Sequence, residues 1–230
     1  MKRISLVLEI LNNDNLIVKY DLNEQISSFI YSLLEKEFPQ LHNEKGIKNF
    51  CFSNIIFTKS KFEKEGILVT NSKAHLLISS SEKRIIGSIV NSINSDRKVY
   101  KIDNIRFKIN AVYNDDFLKI DKELNLKTVT PICVIDKNSD CISLLENKEL
   151  FVEFLKKNMI HKNNFINDNI IIEIDEQSIK QKKILYKEKK LLSFLFNFKV
   201  TSSQELIQNS YYKGFGLKNS IGFGFVKIIK

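Results

Sequence analysis

The order of the predicted strands and helices constrains the fold of this chain more than any other feature. In the first half, apolar stripes at helical spacing predict one helix between the capping box Asp21–Glu24 and Pro39, and a second helix after Ser81. Alternating apolar residues predict strands at residues 2–10, 50–57, 64–70, 75–80 and 99–112. The third and fourth of these form a predicted hairpin around residues 71–72, and with that hairpin counted as one element the order is βαββαβ.

The second half repeats this order. Strand patterns cover residues 128–135, 170–174 and 221–229, with a Lys-rich ribbon at residues 179–200. One helix is predicted at residues 148–161, and a short one begins at the capping box Ser202–Glu205. Two copies of one unit predict an α+β protein made of two tandem ferredoxin-like (βαββαβ) domains, residues 1–124 and 125–230, each with its helices on one face of its sheet.

The composition is that of a globular protein. Hydrophobic residues make up 43% of the 230 residues, and no apolar run approaches the ~20 residues that span a bilayer. The N-terminus alternates like a strand where a signal peptide would have an apolar block, so we expect a cytoplasmic protein without membrane contact. The three cysteines have no Cys-x-x-Cys spacing, which predicts buried free thiols rather than a disulfide or a zinc site.

Positive charge is concentrated near the end of the sequence. The formal net charge is +9, and 32 of the 36 basic residues are lysines, a bias that an AT-rich genome produces without selection for binding. Residues 177–230 contain eleven lysines and two glutamates, whereas residues 1–176 contain 25 basic and 25 acidic side chains. The surplus in the last quarter favours a local site for a polyanion over an ordinary solvated charged face.

A glycine-rich loop, residues 214–224, lies within this basic region. Four of the seven glycines of the chain belong to it, namely Gly214, Gly216, Gly222 and Gly224. Because glycine has no Cβ, such a concentration suits a backbone to which another group, such as a ligand, comes very close. Lys218, Asn219 and Ser220 stand between the glycine pairs, and their charge and short polar side chains suit a phosphate-bearing partner. The alternative is a tight helix-to-strand turn, which needs one or two glycines rather than four.

The run Gly214-Phe-Gly-Leu-Lys-Asn-Ser-Ile-Gly-Phe-Gly-Phe-Val226 closely resembles a known signature, roughly G-x-G-x-x-x-S-x-G-F-G-x-V. That signature belongs to the CRISPR-associated endoribonucleases that cut precursor CRISPR RNA within its repeats. Two further segments resemble the same family: Lys127 to Val134, and Leu41-His42 followed by Phe50-Cys-Phe-Ser53. These enzymes belong to the RAMP superfamily, whose members carry ferredoxin-like folds.

The resemblance implies cleavage that needs no metal and no cofactor, because the RNA supplies the nucleophile. The 2′-hydroxyl beside the scissile phosphate attacks it and leaves a 2′,3′-cyclic phosphate and a 5′-hydroxyl. Such a reaction needs a base for the 2′-hydroxyl proton, an acid for the leaving 5′-oxygen and a cation near the phosphorane. Histidine suits the first two roles because its unperturbed pKa lies near working pH.

The candidate catalytic residues are His42, Tyr31 and Lys48, since the family commonly sets a tyrosine and a lysine beside its histidine. His42 lies in a polar loop next to Lys45 and Lys48, and only the resemblance favours Lys48 over Lys45. Tyr31 lies about 130° from the centre of the apolar stripe of its helix, at ~100° per residue, so it is available for polar work. An ordinary, partly exposed ring is the alternative for Tyr31.

The other two histidines have different expected roles. His75 begins an apolar strand and is expected to be structural or at the surface. His161 lies near the end of a predicted helix, where it complements the helix C-terminus or contacts RNA backbone.

CRISPR repeat RNA is the partner that the resemblance implies, bound by a monomer or a homodimer, with other CRISPR effector subunits as further candidate partners. Lys218, Asn219 and Ser220 are predicted to hold it by phosphate and base-edge contacts. Phe215 and Phe223 either stack on bases or pack under the loop. Lysines of the ribbon extend the predicted groove: Lys180, Lys182, Lys183, Lys187, Lys189 and Lys190.

Two alternative functions stay open. One is a non-catalytic RAMP subunit that coats guide RNA in an effector complex, and the other is a two-domain protein that binds small anionic metabolites at the glycine-rich loop. A metal enzyme is not expected, because the acidic groups Asp115–Asp116 and Glu173–Glu176 have no metal-ligating neighbours in the sequence.

Overall fold

The computed structural model describes residues 1–12, 15–95, 98–114, 120–138, 140–166 and 168–229. The acidic pair Asp115–Asp116 lies outside these residues. The elements of the first unit are β1 (Lys2–Ile10), β2 (Leu16–Val18), α1 (Asn23–Leu34), β3 (Phe50–Phe52), β4 (Ile56–Phe57), β5 (Ser60–Glu63), β6 (Gly66–Val69), β7 (Lys73–Ser80), α2 (Lys83–Ser95), β8 (Tyr100–Ile102) and β9 (Ile105–Asn114).

The described part of the second unit contains two α-helices, a short 3-10 helix and a long hairpin. Its elements are β10 (Glu123–Thr128), α3 (Lys148–Asn163), β11 (Ile171–Tyr186), β12 (Lys189–Thr201), α4 (Gln204–Lys213), the 3-10 helix (Asn219–Ile221) and β13 (Val226–Ile228). Among the described helices, none combines the length and the apolar character that crossing a membrane requires.

Both units have the ferredoxin-like topology that the element order predicts, so the predicted fold class is confirmed. The first sheet has the antiparallel order β3-β7-β1-β9-β8, and β4 also pairs with β7. The second has the antiparallel order β11-β12-β10-β13. In each, the first strand of the unit lies in the middle of the sheet, because its two neighbours are the strands on either side of the second helix.

The predicted hairpin around residues 71–72 is wrong. β6 pairs with β2 and β5 in a separate three-stranded sheet, whereas β7 pairs with β1 on one edge and with β3 and β4 on the other. Pairing on both edges satisfies the backbone N–H and C=O groups of β7, and the side chains of Ala74, Leu76 and Ile78 on one face of the strand are fully buried. A hairpin with β6 would have occupied one of those edges.

The predicted strand at residues 50–57 is divided into β3 and β4. Between them the Ser53 hydroxyl accepts a hydrogen bond from the backbone N–H of Leu77 at 3.0 Å, and so takes the place of a backbone acceptor. The Ser53 N–H donates in turn to the Leu77 carbonyl oxygen at 2.9 Å. A side chain that competes with the ladder in this way interrupts regular pairing.

Both predicted capping boxes have the wrong register. α1 follows Leu22, and no side chain caps its first turn, so Asp21–Glu24 is not a capping box. α4 is capped by Ser203, whose hydroxyl accepts from the backbone N–H of Leu206 at 3.4 Å, rather than by the first residue of Ser202–Glu205.

The strands of the second unit differ from the predicted ranges. Regular pairing in the segment predicted at 128–135 ends with β10, because Pro131 has no N–H to donate, and only single bridges follow at Ile132, Cys133 and Ile135. β11 and β12 form one hairpin, so the predicted strand at 170–174 and the Lys-rich ribbon are continuous. In the segment predicted at 221–229, only Val226–Ile228 is a strand.

The buried apolar side chains form two main cores. The first comprises residues between Ile4 and Phe107, and the second comprises residues between Ile120 and Val226. Leu124 packs in the second core. The domain limits at residues 124 and 125 stay a prediction.

A buried arginine connects the two units. Arg3 of β1 is 3% exposed, and its guanidinium donates to the Tyr211 hydroxyl at 2.5 Å and to the Val226 carbonyl oxygen at 2.9 Å. The same group lies 4.0 Å from the centre of the Tyr211 ring and 4.1 Å from that of Phe225. Arginine suits such a site because its planar cation can donate in its plane and stack on rings. It fixes α4 and the start of β13 against the first strand of the chain.

The cysteines are free thiols, as predicted. Cys51 and Cys133 are buried, whereas Cys141 is only half-buried. The sulfur atoms of Cys133 and Cys141 are 4.0 Å apart. The hydrogen bond between the two side chains lowers the pKa of Cys141 to about 6 and raises that of Cys133.

Candidate functional site

A cleft of about 710 Å³ lies between the two units and contains most of the predicted site. Its walls are α1, the loop of residues 42–50, the end of α3, the turn of the β11–β12 hairpin and the glycine-rich loop. Five lysines and two glutamates line it, so its charge is positive: Lys48, Lys162, Lys187, Lys213 and Lys218 against Glu24 and Glu44. Such a cleft attracts a polyanion.

Tyr31 and His42 meet on one wall of this cleft. Their ring centres are 4.9 Å apart with the planes at 87°, an edge-to-face contact, and Tyr31 makes a second such contact with Phe50 at 5.7 Å. Burial raises the pKa of the Tyr31 hydroxyl, and a hydrogen bond with the Ser220 side chain opposes that shift. The phenol therefore remains a proton donor at neutral pH.

The polar loop brings His42 and Lys48 to the same wall. His42 is exposed, and its Nδ1 lies 3.3 Å from Asn43 Oδ1. The Lys48 ammonium donates to the carbonyl oxygen of Glu44 and lines the cleft. Lys45 is exposed and is not among the lining residues. Of these two lysines, only Lys48 lines the cleft, and its catalytic role stays a prediction.

The four glycines of the glycine-rich loop are buried and have positive φ angles. A Cβ at Gly222 would lie 2.6 Å from Asn23 Nδ2 and 2.9 Å from a ring carbon of Phe52, and one at Gly224 would lie 1.8 Å from the Phe215 carbonyl oxygen. At Gly222 and Gly224 the close approach that the sequence predicted is thus made by atoms of the protein itself, and RNA binding by the four glycines stays a prediction. Phe215 and Phe223 are fully buried, so they pack under the loop.

The three polar residues of the loop differ in what they can offer a ligand. Lys218 is exposed, in a left-handed conformation with φ 61°. The Asn219 amide is already used, because its Nδ2 donates to the carbonyl oxygens of Phe215 and Phe223, both at 3.0 Å. Ser220 lines the cleft together with Tyr31, and its side chain opposes the rise in the Tyr31 pKa. A base-edge contact by Asn219 would therefore require breaking internal hydrogen bonds.

The turn of the β11–β12 hairpin reaches across to the first unit. The backbone N–H of Lys187 donates to Glu24 Oε1 of α1 at 2.8 Å, so Glu24 caps this turn rather than its own helix. Lys187 lines the cleft, whereas Lys189 and Lys190 are exposed on β12 away from it. The remaining lysines of the predicted groove are exposed along β11, namely Lys180, Lys182 and Lys183.

Comparison with known proteins identifies the family. Residues 17–113 match the model of the CRISPR-associated protein Cas6 N-terminal region, and residues 113–228 match that of the Cas6 C-terminal region. The chain belongs to the Cas6 family. The CRISPR-associated endoribonuclease Cas6 1 of Methanocaldococcus jannaschii is 30% identical over 233 residues, which cover 95% of this chain and 90% of that protein.

Solved Cas6-related structures share the whole architecture. One described as "Characterization of a Cas6-related gene from Pyrococcus furiosus" superposes with a TM-score of 0.87 at 27% identity and covers 100% of this chain and 98% of that one. Another, described as "An RAMP protein binding different RNA substrates", superposes with a TM-score of 0.88 at 25% identity and covers 100% of both chains. These likenesses agree with the RAMP resemblance of the sequence.

Lys162 is the most notable residue of this Cas6 chain that the sequence did not predict. Its ammonium is buried and donates to the carbonyl oxygens of Gly214 and Gly216, the latter at 3.0 Å, and to Asn219 Oδ1 at 2.8 Å. Burial lowers its pKa to about 7, and the three acceptor oxygens oppose that shift because a neutral amine has only two N–H groups. Lys162 thus fastens the glycine-rich loop to the end of α3.

Two polar residues of α1 fasten the same loop from the other side. Asn23 Nδ2 donates to the carbonyl oxygens of Ile221 at 3.0 Å and Gly222 at 3.3 Å, and the Ser27 hydroxyl donates to that of Ser220 at 2.9 Å. A signal for these residues existed in the sequence. Asn23 and Ser27 are in phase with the buried stripe of α1, as Lys162 is with the buried stripe of α3, and a polar residue on a buried helix face must find a partner.

The other titratable side chains have separate places. His161, in the last turn of α3 as predicted, lines the cleft, whereas His75 lies outside it with its Nδ1 3.3 Å from the Ser5 hydroxyl. Glu173 pairs with Lys199 at 3.3 Å. Within the part of the chain that the structure describes, no three histidine, cysteine or acidic side chains are close enough to hold a metal ion.

Proposed function

We propose that this Cas6 protein is a metal-independent endoribonuclease that cuts precursor CRISPR RNA within its repeats to produce guide RNA. The 2′-hydroxyl of the RNA attacks the neighbouring phosphate, and the products carry a 2′,3′-cyclic phosphate and a 5′-hydroxyl. The observation that carries this proposal is the shared cleft wall formed by Tyr31, His42 and Lys48. The curated relatives named CRISPR-associated endoribonucleases support the same activity.

In this proposal His42 exchanges the proton as general acid or base, because it is exposed in the cleft and its ring is oriented by the edge of Tyr31. The Tyr31 hydroxyl, which burial keeps protonated, donates to the phosphate or to the leaving oxygen. The Lys48 ammonium stabilises the negative charge of the phosphorane. We prefer Lys48 to Lys45 because, of these two lysines, only Lys48 lines the cleft.

The RNA is held by the opposite wall. Lys218 and Lys187 are exposed ammonium groups at the cleft and suit phosphate contacts. Ser220 lies beside Tyr31, where it can orient either the phenol or the RNA. The glycines and Asn219 act by shaping the loop. A monomer or homodimer, contacts with other CRISPR effector subunits and a cytoplasmic location stay predictions.

The test is cleavage of labelled repeat RNA in EDTA by the wild type, His42→Ala and His75→Ala. General acid–base catalysis contributes about 10²–10⁴-fold in rate, so His42→Ala should be slower by that factor, whereas His75→Ala, outside the cleft, should cut at the wild-type rate. A repeat RNA with a 2′-deoxy nucleotide before the scissile phosphate should remain intact. Undiminished cleavage by His42→Ala, or loss of cleavage in EDTA, would overturn the proposed mechanism.

A second candidate function is RNA binding without cleavage. The structural neighbour described as a RAMP protein that binds different RNA substrates favours it. In that case the wild type would bind repeat RNA with a salt-dependent affinity and form no product at saturation. A product with a 2′,3′-cyclic end would eliminate this candidate.

A further inference from the structure

Tyr186 lies at the turn of the β11–β12 hairpin, inside the cleft. The turn residues Lys187 and Glu188 have φ angles of 45° and 66°, a left-handed conformation that asparagine and glycine adopt at less cost. The hydrogen bond from the Lys187 N–H to Glu24 holds this turn against α1. The chain thus maintains a strained turn and anchors it, which fixes the position of the Tyr186 ring.

The surroundings of the Tyr186 ring are cationic rather than apolar. The Lys187 ammonium is 5.7 Å and the Lys218 ammonium 5.9 Å from the ring centre. The ring is half-buried, and Tyr186 belongs to none of the hydrophobic cores formed by the described residues. A tyrosine that served only packing would be expected inside one of them.

We propose that Tyr186 is a stacking platform for one unpaired base of the RNA, with Lys187 and Lys218 contacting the phosphates on either side of that nucleotide. This rests on the proposed RNA-processing function and adds a base subsite to it. Single-stranded RNA is held by such a combination, in which the aromatic face takes the base and flanking cations take the backbone.

The place of Tyr186 in the cleft gives this subsite a role in the choice of cleavage position. Tyr186 and Tyr31 line the same cleft, so the stacked base would lie near the nucleotide at the scissile phosphate. A base that must leave its helical stack to reach Tyr186 sets the register of the RNA relative to His42.

The experiment compares Tyr186→Phe and Tyr186→Leu with the wild type, and uses Tyr113→Leu as a matched control at an exposed tyrosine of β9 outside the cleft. Binding of repeat RNA is measured by fluorescence anisotropy at several salt concentrations. Tyr186→Leu should raise Kd by about 5- to 150-fold without changing the salt slope, while Tyr186→Phe and Tyr113→Leu stay within about threefold of the wild type. Lys218→Gln should instead lower the salt slope by about 0.7.

A second measurement begins with the wild type, so that its first result does not depend on the folding of a variant. RNAs with 2-aminopurine at successive positions near the cleavage site should show one position whose fluorescence is quenched on binding, and that quenching should disappear in Tyr186→Leu. If the wild type binds and cuts the RNA but Tyr186→Leu binds equally well and no position is quenched, the subsite is refuted and the proposed function stands. If the wild type does not bind repeat RNA, both are refuted.

Discussion

Replacing Lys162 with methionine removes the ammonium that fastens the glycine-rich loop but keeps a side chain of similar length. Three oxygen acceptors, the carbonyls of Gly214 and Gly216 and the amide of Asn219, then lose their donor. Each unsatisfied buried acceptor costs about 1–3 kcal/mol, and removal of a buried cation recovers part of that sum. We expect the free energy of unfolding to fall by about 2–4 kcal/mol, and Tm to fall by about 4–16 °C.

The assay is urea unfolding at pH 7, followed by circular dichroism. Lys157→Met is the matched control, since Lys157 lies on the same helix and its ammonium pairs with Glu153 at the surface. An exposed pair of this kind contributes about 0–1 kcal/mol, so the control should remain near the wild type. A Lys162→Met protein as stable as Lys157→Met would refute the role assigned to the buried ammonium.

The pH dependence of the same difference provides a further check. Burial lowers the pKa of Lys162 from 10.5 to about 7, and the titratable groups that face it are Cys51 of β3 and Lys213 of α4. Between pH 7 and 10.5 the unfolded chain therefore binds more protons at this side chain than the folded chain does. The stability of the wild type relative to Lys162→Met should rise with pH in this window, by at most about 1.4 kcal/mol per pH unit. A difference that is equal at pH 6, 7.5 and 9 would contradict the lowered pKa.

Three other predictions concern single sites. Gly222→Ala should lower the free energy of unfolding by about 2–4 kcal/mol through its left-handed φ and the clashes of the new methyl group. Gly87→Ala is the control, because Gly87 is exposed on α2 and no atom lies near the position of its Cβ. This change should raise the free energy of unfolding by up to about 1 kcal/mol. Equal Tm shifts of the two variants in thermal scans would contradict the packing role of Gly222. Arg3→Met should lower the stability by about 2–4 kcal/mol in urea, because it leaves buried acceptors unpaired, and an unchanged midpoint would count against a connection between the units. Iodoacetamide at pH 7 should alkylate Cys141, whose pKa is about 6, well before the buried Cys51. Peptide mass spectrometry measures the extent of labelling at each cysteine. Equal labelling of the two cysteines would exclude the lowered pKa of Cys141.

The element order of the fold was predictable because helix and strand periodicities are local. The alternation of β1 and the stripes of α1 and α3 are visible in stretches of about ten residues, and they led to the ferredoxin-like topology. The pairing of β6 was not predictable in the same way. Whether β7 pairs with β6 or with β3 and β4 depends on which long-range partner covers its edge, and no local pattern contains that information.

The sequence predicted several side chains that line the cleft, but it did not predict those whose hydrogen bonds hold the glycine-rich loop in place. Tyr31 and His42 were selected by the family resemblance and Lys218 for its charge, and all three line one cleft. Asn219 was selected by the same reasoning, but its amide is used inside the loop. Lys162 was overlooked because lysine is usually solvated, although its phase on α3 coincides with the buried stripe.

The hydrogen bond between Arg3 and Val226 connects residues that lie 223 positions apart in the sequence. Tyr31, His42 and Lys48 leave the ribosome long before the loop that forms the opposite wall of their cleft. A nascent chain that stops before residue 214 has the candidate cutting residues without the loop, and its Arg3 lacks the Val226 acceptor. Interrupted translation therefore yields a product that neither completes its cleft nor satisfies its buried cation, so we expect cellular proteases to degrade it.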